Sequence, residues 1–387
     1  MFKKRPTRAE IDLAALRHNY QALQACAGAS VSVMPVVKAD AYGHGAVPVA
    51  QALAAVGVPG FAVATVTEAA VLREAGIIED ILVLGALYEN DFPIIAGGRI
   101  IPVLWDEDSA RRLSDYMENL NRIIPAHVKV DTGMGRAGVS AAAAAELIAI
   151  VDELPGLQLV GLLSHLAIAD SSREWARRYT GKQAQTFVNV TDAVAGIIGP
   201  EEFLTIHLAN SAGIVRYDFS GCTMARAGIA LYGAYPDPGL YDKIDLQPVM
   251  SVKTGIVLLK TLQPGQSVSY GCTYTAHEER KVALLPIGYA DGLNRDLSNR
   301  GEFLVRGQRA PVVGRVCMDW TMIDVTDIGD VVVGDEVVIL GSQGDAVITV
   351  DELAATLGTI SYEIFCSWSP RVRREYLYGG SGVCGEN

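Results

Sequence analysis

Eight short apolar runs, at 31–37, 60–64, 81–84, 100–104, 126–130, 157–163, 203–208 and 221–226, mark the first 230 or so residues. Most are continuously apolar rather than alternating, as strands buried on both faces of a parallel sheet are. Helix-like segments lie between most of them. Thr65-Val66-Thr67-Glu68 reads as a capping box ahead of a helix over 69–75. Ser140 precedes an alanine-rich helix running to about Leu154, and a longer helical span covers 171–197. Eight strands with crossover helices match an N-terminal (β/α)8 TIM-type barrel in an α/β chain. An open doubly wound sheet is the alternative, and the placement of polar residues favours the barrel.

From about Leu246 the texture changes. The runs 249–259, 281–286, 303–305, 321–325 and 336–340 are strand-like. Turn signals at Pro264-Gly265, Arg306-Gly307-Gln308 and Val333-Gly334-Asp335 separate them. Only Thr349-Val350-Asp351-Glu352 opens a clear helix. The expected organisation is therefore an N-terminal strand at 1–10 packing with a β domain and a barrel over 11–240. A mostly β domain over 241–378 and a flexible tail over 379–387 complete it.

The net charge, 32 − 44 = −12, repels phosphate backbones, which argues against a nucleic-acid partner. No run approaches the ~20 apolar residues of a membrane helix. The basic first residues are not followed by an apolar core, so secretion is not signalled. The six cysteines, Cys26, Cys222, Cys272, Cys317, Cys366 and Cys384, include no Cys-x-x-Cys pair. That argues against a metal site and a disulfide framework, and for a reducing, cytoplasmic setting.

Polar residues gather where the barrel strands end. Lys38 follows the first run, in Val36-Val37-Lys38-Ala39-Asp40-Ala41-Tyr42-Gly43-His44-Gly45; Lys129, Asp131 and Arg136 follow the fifth. Ser164-His165 end the sixth, Asn210-Ser211 the seventh, and Arg226-Ala227-Gly228-Ile229 the eighth. Barrel enzymes assemble their sites at this rim. Taken alone, Lys38 reads as a solvated strand exit and His165 as a satisfied core histidine. Together with Ser211 and Gly228 after strands seven and eight, where barrels bind phosphate, they read otherwise. A lysine able to form an imine and a phosphate pocket on one rim point to pyridoxal phosphate. The candidate partner for its ring nitrogen is Arg226. A guanidinium donates a hydrogen bond but does not yield its proton, so the ring stays a weak electron sink. That favours removing and returning a proton at Cα over transamination.

With these residues in place the sequence resembles the bacterial alanine racemases over nearly its whole length. Val37-Lys38-Ala39-Asp40-Ala41-Tyr42-Gly43-His44-Gly45 is similar to the family's cofactor-lysine motif. Lys129 to Arg136, His207-Leu208-Ala209-Asn210-Ser211, Ile287 to Gly292, Gly314 to Asp319 and Ser361-Tyr362-Glu363 also match. The resemblance implies a homodimer whose sites combine a barrel with the partner's β domain, interconverting L- and D-alanine for peptidoglycan. It implies Lys38 as cofactor lysine and base on the D side, and Tyr270 as base on the L side, lent by the partner. It places His165 near Arg226 and Tyr270. Arg136 would meet the cofactor's phenolic oxygen and the substrate carboxylate, which the Met318 N–H also holds. Tyr42, Asn210, Ser211, Gly228, Ile229 and Tyr362 fall to the cofactor and its phosphate. Lys129 matches a lysine that similar enzymes carbamylate to orient Arg136. Asp170, Tyr289, Arg295, Arg315 and Ile360 match the substrate corridor.

Two departures stand out. Arg8 replaces an expected Trp, and Trp320 follows Asp319 where smaller side chains are common, narrowing the pocket mouth. Serine racemases resembling this family carry Asn at the position of Tyr362, so Tyr favours alanine. A serine or broad-spectrum racemase is the alternative enzyme, since one hydroxyl changes discrimination by only ~2 kcal/mol in an apolar pocket. A decarboxylase on the same fold would need a Cys-Asp segment that Cys317-Met318-Asp319 does not supply. A cofactor carrier resembles the barrel alone, and the β domain with Tyr270 argues against it.

Overall fold

The computed structural model describes residues 4–196, 198, 204–218 and 221–378. The expected tail at 379–387 lies outside them. The chain divides into two compact units: Leu16–Ala41 with Ala46–Gln247, and Met1–Ala15 with Tyr42–Gly45 and Pro248–Asn387.

The first unit is a closed barrel. Its strands are Ser32–Pro35, Gly60–Val63, Asp80–Val83, Ile100–Leu104, Ile124–Asp131, Leu157–Leu163, Thr205–His207 and Met224–Ala227. Strands two to eight pair in parallel, each with its neighbour in sequence, and the eighth returns to the first through Arg226 opposite Met34. A parallel bridge between Val36 and Ala62 closes the ring between strands one and two. An open doubly wound sheet is thereby excluded. Strands two and four are buried along their whole length, which explains their unbroken apolar runs.

Local signals set several helices. Thr65 caps Val66–Glu74 with both halves of the expected box in place. The alanine-rich helix expected after Ser140 is present, though it does not begin directly at that residue. Val139–Ser140 is a short strand beside Val130 and Asp131, and Ser140 caps a turn through the Ala143 N–H. The helix itself is Ala144–Glu153. The long helix is Glu174–Ala195, starting after the polar 171–173 segment.

The second unit is mostly β. Its main sheet runs Gln308–Pro311, Glu302–Val305, Glu336–Gln343, Met250–Gly255, Arg8–Asp12 and Arg373–Leu377, with Ala346–Ile348 paired to Glu336–Gln343. Arg8–Asp12 pairs antiparallel with Met250–Gly255 and parallel with Arg373–Leu377. Arg8, the residue in place of Trp, donates to Glu10 on its own strand and to Glu336 across this sheet. The expected single strand over 249–259 is two. The Ile256 N–H donates to Asp335 O, and the Val257 N–H to Leu284 O in another sheet. Leu258–Leu262 then joins Arg280–Leu285 and Thr321–Asp324. Thr349 caps Val350–Leu357 as expected. A second helix, Ser361–Ser367, is too short to show a helical period and was not expected. Among the described residues no helix is long and apolar enough to cross a membrane.

Candidate active site

Lys38 stands half-buried at the carboxyl end of strand one. The four residues after it form a left-handed turn: Ala39, Asp40, Ala41 and Tyr42 have φ of 52°, 53°, 54° and 53°. This conformation costs roughly 1–2 kcal/mol per L-residue and needs outside support. Glu68 supplies it. Its carboxylate accepts from the N–H groups of Ala39 at 2.7 Å, Ala64 at 2.7 Å and Thr65 at 3.2 Å. Asp40 accepts from the Ala46 N–H at 2.7 Å. The capping box of the following helix therefore also holds the backbone beside Lys38.

Arg226 reaches inward from strand eight and is 4% exposed. Its Nη1 donates to His207 Nδ1 at 2.8 Å and to His207 O at 3.2 Å. Its Nη2 donates to Ser164 O at 2.6 Å, with His165 Nδ1 at 3.3 Å. Every one of these acceptors is uncharged, and Nε finds no protein acceptor among the described residues. Burial lowers the guanidinium to about 10, so it remains a cation near neutral pH. Burial, then Arg226, Arg136, Lys129 and Lys38, brings His165 down to about 3, a neutral ring. Lys129, 8% exposed, is lowered to about 8 by burial, then by Arg136 and Arg226, against the pull of Asp131. These residues are thus one neighbourhood with an excess of positive charge. Arg136 is exposed on a loop tied by Asp131, whose carboxylate accepts from the Gly133 and Gly135 N–H groups.

Asn210 caps the short helix Ser211–Arg216 through the Gly213 N–H at 3.0 Å. The Ser211 hydroxyl accepts from Gly228 N–H at 2.8 Å, which joins the rims of strands seven and eight. The Ile229 N–H has no protein acceptor among the described residues, so hydroxyl and amide together can receive an anion. A buried cation with an unused donor, a lysine on the same rim and this anion corner fit pyridoxal phosphate. Asp170 is exposed on the loop after strand six.

The remaining residues lie in the second unit. Tyr42 is buried there, its ring 6.0 Å from that of Tyr362, and burial raises its phenol. Tyr270 is 72% exposed on a turn preceded by Ser269 at φ 67°. It borders a groove of about 550 Å³ with Val268, Leu284, Cys317, Trp320 and Met322. Ser269 Oγ donates to Arg315 O at 2.7 Å, which fixes Tyr270 beside Arg315 and Cys317. Tyr289 N–H donates to Cys317 O and Ala290 N–H to Met318 O, each at 3.0 Å. The exposed Arg295 is drawn in through Ser298, whose hydroxyl accepts from the Val316 N–H. Ile360 and Tyr362 flank the start of helix Ser361–Ser367, and Ile364 of that helix shares a small cavity with Tyr289.

Three residues without an assigned role now join the site: Glu68, His127 and His207. The sequence signal for the histidines was a polar residue within an apolar strand. For Glu68 it was the capping box, which gave no hint of Ala39.

Family models for the alanine racemase N-terminal domain and C-terminal domain match residues 11–236 and 249–376. An alanine racemase from Geobacter sulfurreducens is 45% identical over 374 residues, 96% of this chain and 97% of that protein. One from Halothermothrix orenii is 44% identical over 372 residues, with 96% and 97% covered. The solved alanine racemase of Clostridium difficile superposes with a TM-score of 0.92 at 34% identity, covering 100% of this chain and 99% of the other. The Bacillus anthracis enzyme with bound L-Ala-P gives 0.90 at 33%, covering 100% and 98%. Both halves of the architecture and nearly every residue of these relatives are represented, and the chain belongs to the alanine racemase family.

Proposed function

We propose that this protein interconverts L- and D-alanine with pyridoxal phosphate held through Lys38, and so supplies D-alanine for peptidoglycan. The observation that carries the reading is Arg226, a buried cation bonded only to neutral acceptors. When bound, the cofactor supplies electron withdrawal that acidifies the substrate Cα–H. Arg226 would donate to the ring nitrogen without giving up its proton, so the group would withdraw electrons only weakly. Ser211 and Ile229, joined through the Gly228 N–H, would hold the phosphate, with Asn210 fixing their turn and Tyr42 and Tyr362 contributing hydroxyls.

Racemisation needs a proton carrier on each face of Cα. Lys38 serves the D side and Tyr270 the L side. The exposure of Tyr270 and the groove beside it support a homodimer in which the partner lends this tyrosine. His165, neutral beside Arg226, orients the tyrosine's hydroxyl. Arg136 and the Met318 N–H orient the substrate carboxylate, and carbamylated Lys129 would give Arg136 a negative partner. Asp170, Tyr289, Arg295, Arg315 and Ile360 admit substrate. The five described cysteines are free thiols, which supports a cytoplasmic site of action.

Incubation with L-alanine in heavy water tests the reading. D-Alanine should form with deuterium at Cα, followed by NMR. Deuteration without inversion would mean that only one face is served. No exchange at all would refute the assignment.

A further inference from the structure

Behind Arg226 lies a second layer of hydrogen bonds. His207, on strand seven, is fully buried and accepts from Arg226 at Nδ1. Its Nε2 lies 2.9 Å from Nδ1 of His127, on strand five. The guanidinium can only donate, so the His207 hydrogen must sit on Nε2, and His127 Nδ1 must accept it. One donor thus fixes both tautomers. Burial and Arg226 keep both rings neutral: His127 is lowered to about 3, and His207 well below its ordinary range.

The fold makes room for this pair. The pairing of strands five and six shifts register between Ala126 and His127. Opposite lies Gly161, where a Cβ would come within 2.5 Å of the His127 ring. Any larger residue would evict the imidazole. A carboxylate in place of His207 would bond Arg226 equally well but neutralise it. An alkyl group would strand a buried N–H and free the guanidinium to tilt.

We infer that His207 and His127 are positioning residues: a relay of two imidazoles that holds Arg226 against the ring nitrogen and leaves its charge undiminished. This rests on the cofactor reading above. The relay thereby sets reaction specificity through Arg226, from buried side chains on strands five and seven.

The test loads wild-type, His207→Leu, His207→Asn and His127→Leu proteins with ring-15N pyridoxal phosphate. Two quantities are read: the nitrogen chemical shift without substrate, and the ratio of transamination to racemisation with alanine. Wild type should show an unprotonated ring nitrogen. Both leucine variants should move toward the protonated shift, and their transamination ratio should rise roughly tenfold, the scale of one charge-assisted hydrogen bond. His207→Asn, whose Oδ1 can still accept from Nη1, should stay nearer wild type. Should His207→Leu fail to fold, the other two variants carry the comparison. Unchanged shifts and ratios in folded, cofactor-loaded variants overturn the relay. So does a wild-type enzyme that racemises with a protonated ring nitrogen. A wild-type protein that takes up no cofactor removes the functional reading, and this inference with it.

Discussion

Arg5 and Asp291, 286 residues apart in sequence, form a two-point ion pair, Nη1 to Oδ1 at 2.8 Å and Nη2 to Oδ2 at 2.7 Å. Asp291 is fully buried and also faces Arg371 at 3.3 Å. Its Oδ2 accepts from the Gly288 N–H at 3.0 Å, which tightens the turn whose next two N–H groups hold the carbonyls of Cys317 and Met318. Gly288 fits because a Cβ would lie 2.2 Å from Cys317 O. A residue near the start of the chain therefore steadies the loop proposed to hold the substrate carboxylate.

Removing either partner should have unequal effects. Asp291→Ala leaves two guanidinium groups facing a buried space and should cost about 3–5 kcal/mol in urea unfolding. Arg5 is one-third exposed and Arg371 remains, so Arg5→Ala should cost only about 1–2 kcal/mol. The Arg5 variant should still bind cofactor, with KM for alanine raised several-fold. An unchanged KM would separate the pair from the substrate loop.

The left-handed turn at Ala39–Tyr42 makes an opposite prediction for glycine. Ala39→Gly relieves a positive φ of 52° and should stabilise the protein by about 0.5–1 kcal/mol, after its extra unfolded-state entropy is subtracted. Glu68→Ala removes the acceptor for three N–H groups and should destabilise by about 2 kcal/mol. Racemisation should slow more in Glu68→Ala than its stability loss alone explains, because the backbone beside Lys38 is released. Equal kcat in both variants would show that the turn has no bearing on Lys38.

The proposed carbamylation of Lys129 should depend on pH. Its amine is lowered to about 8, so the neutral form that attacks carbon dioxide predominates above pH 8 and is lost as the pH falls. Labelled bicarbonate should give a protein-bound 13C carbamate signal that is absent in Lys129→Met. On lowering the pH the signal should fade through the region near 8 rather than near the 10.5 of an ordinary lysine. Persistence of the signal in Lys129→Met would assign it elsewhere.

What the sequence revealed divides by range. The caps at Thr65 and Thr349 were legible because donor and acceptor lie three residues apart. The barrel was legible because most of its strands are continuously apolar, strands two and four being buried along their whole length. Its rim was legible because lysine, serine and arginine at strand ends contrast with those runs. The break at Ile256 was not, since the strand-like composition continues from Met250 to Leu259 and the change of sheet is made by backbone hydrogen bonds alone. Ala39-Asp40-Ala41-Tyr42 contains no glycine to announce a left-handed turn. The relay escaped because a histidine in a strand looks the same whether its partner is a carbonyl or an imidazole 80 residues away.

The proposed sharing of sites between protomers has a quantitative signature. A single group on one face of Cα returns the proton with retention, so the proposed mechanism sets Lys38 and Tyr270 on opposite faces. Lys38→Ala and Tyr270→Ala homodimers should each be nearly inactive. Two-fold symmetry makes whatever one chain lends its partner reciprocal. In a mixed dimer one site then collects both lesions and the other is intact. Random reassortment makes half the dimers mixed, so reversible dissociation and mixing should restore roughly a quarter of wild-type turnover per protomer. If both groups came from one chain, every site would keep a lesion and mixing would restore nothing. Native mass spectrometry confirms that subunits have exchanged; exchange without recovery would place Lys38 and Tyr270 in the same protomer's site.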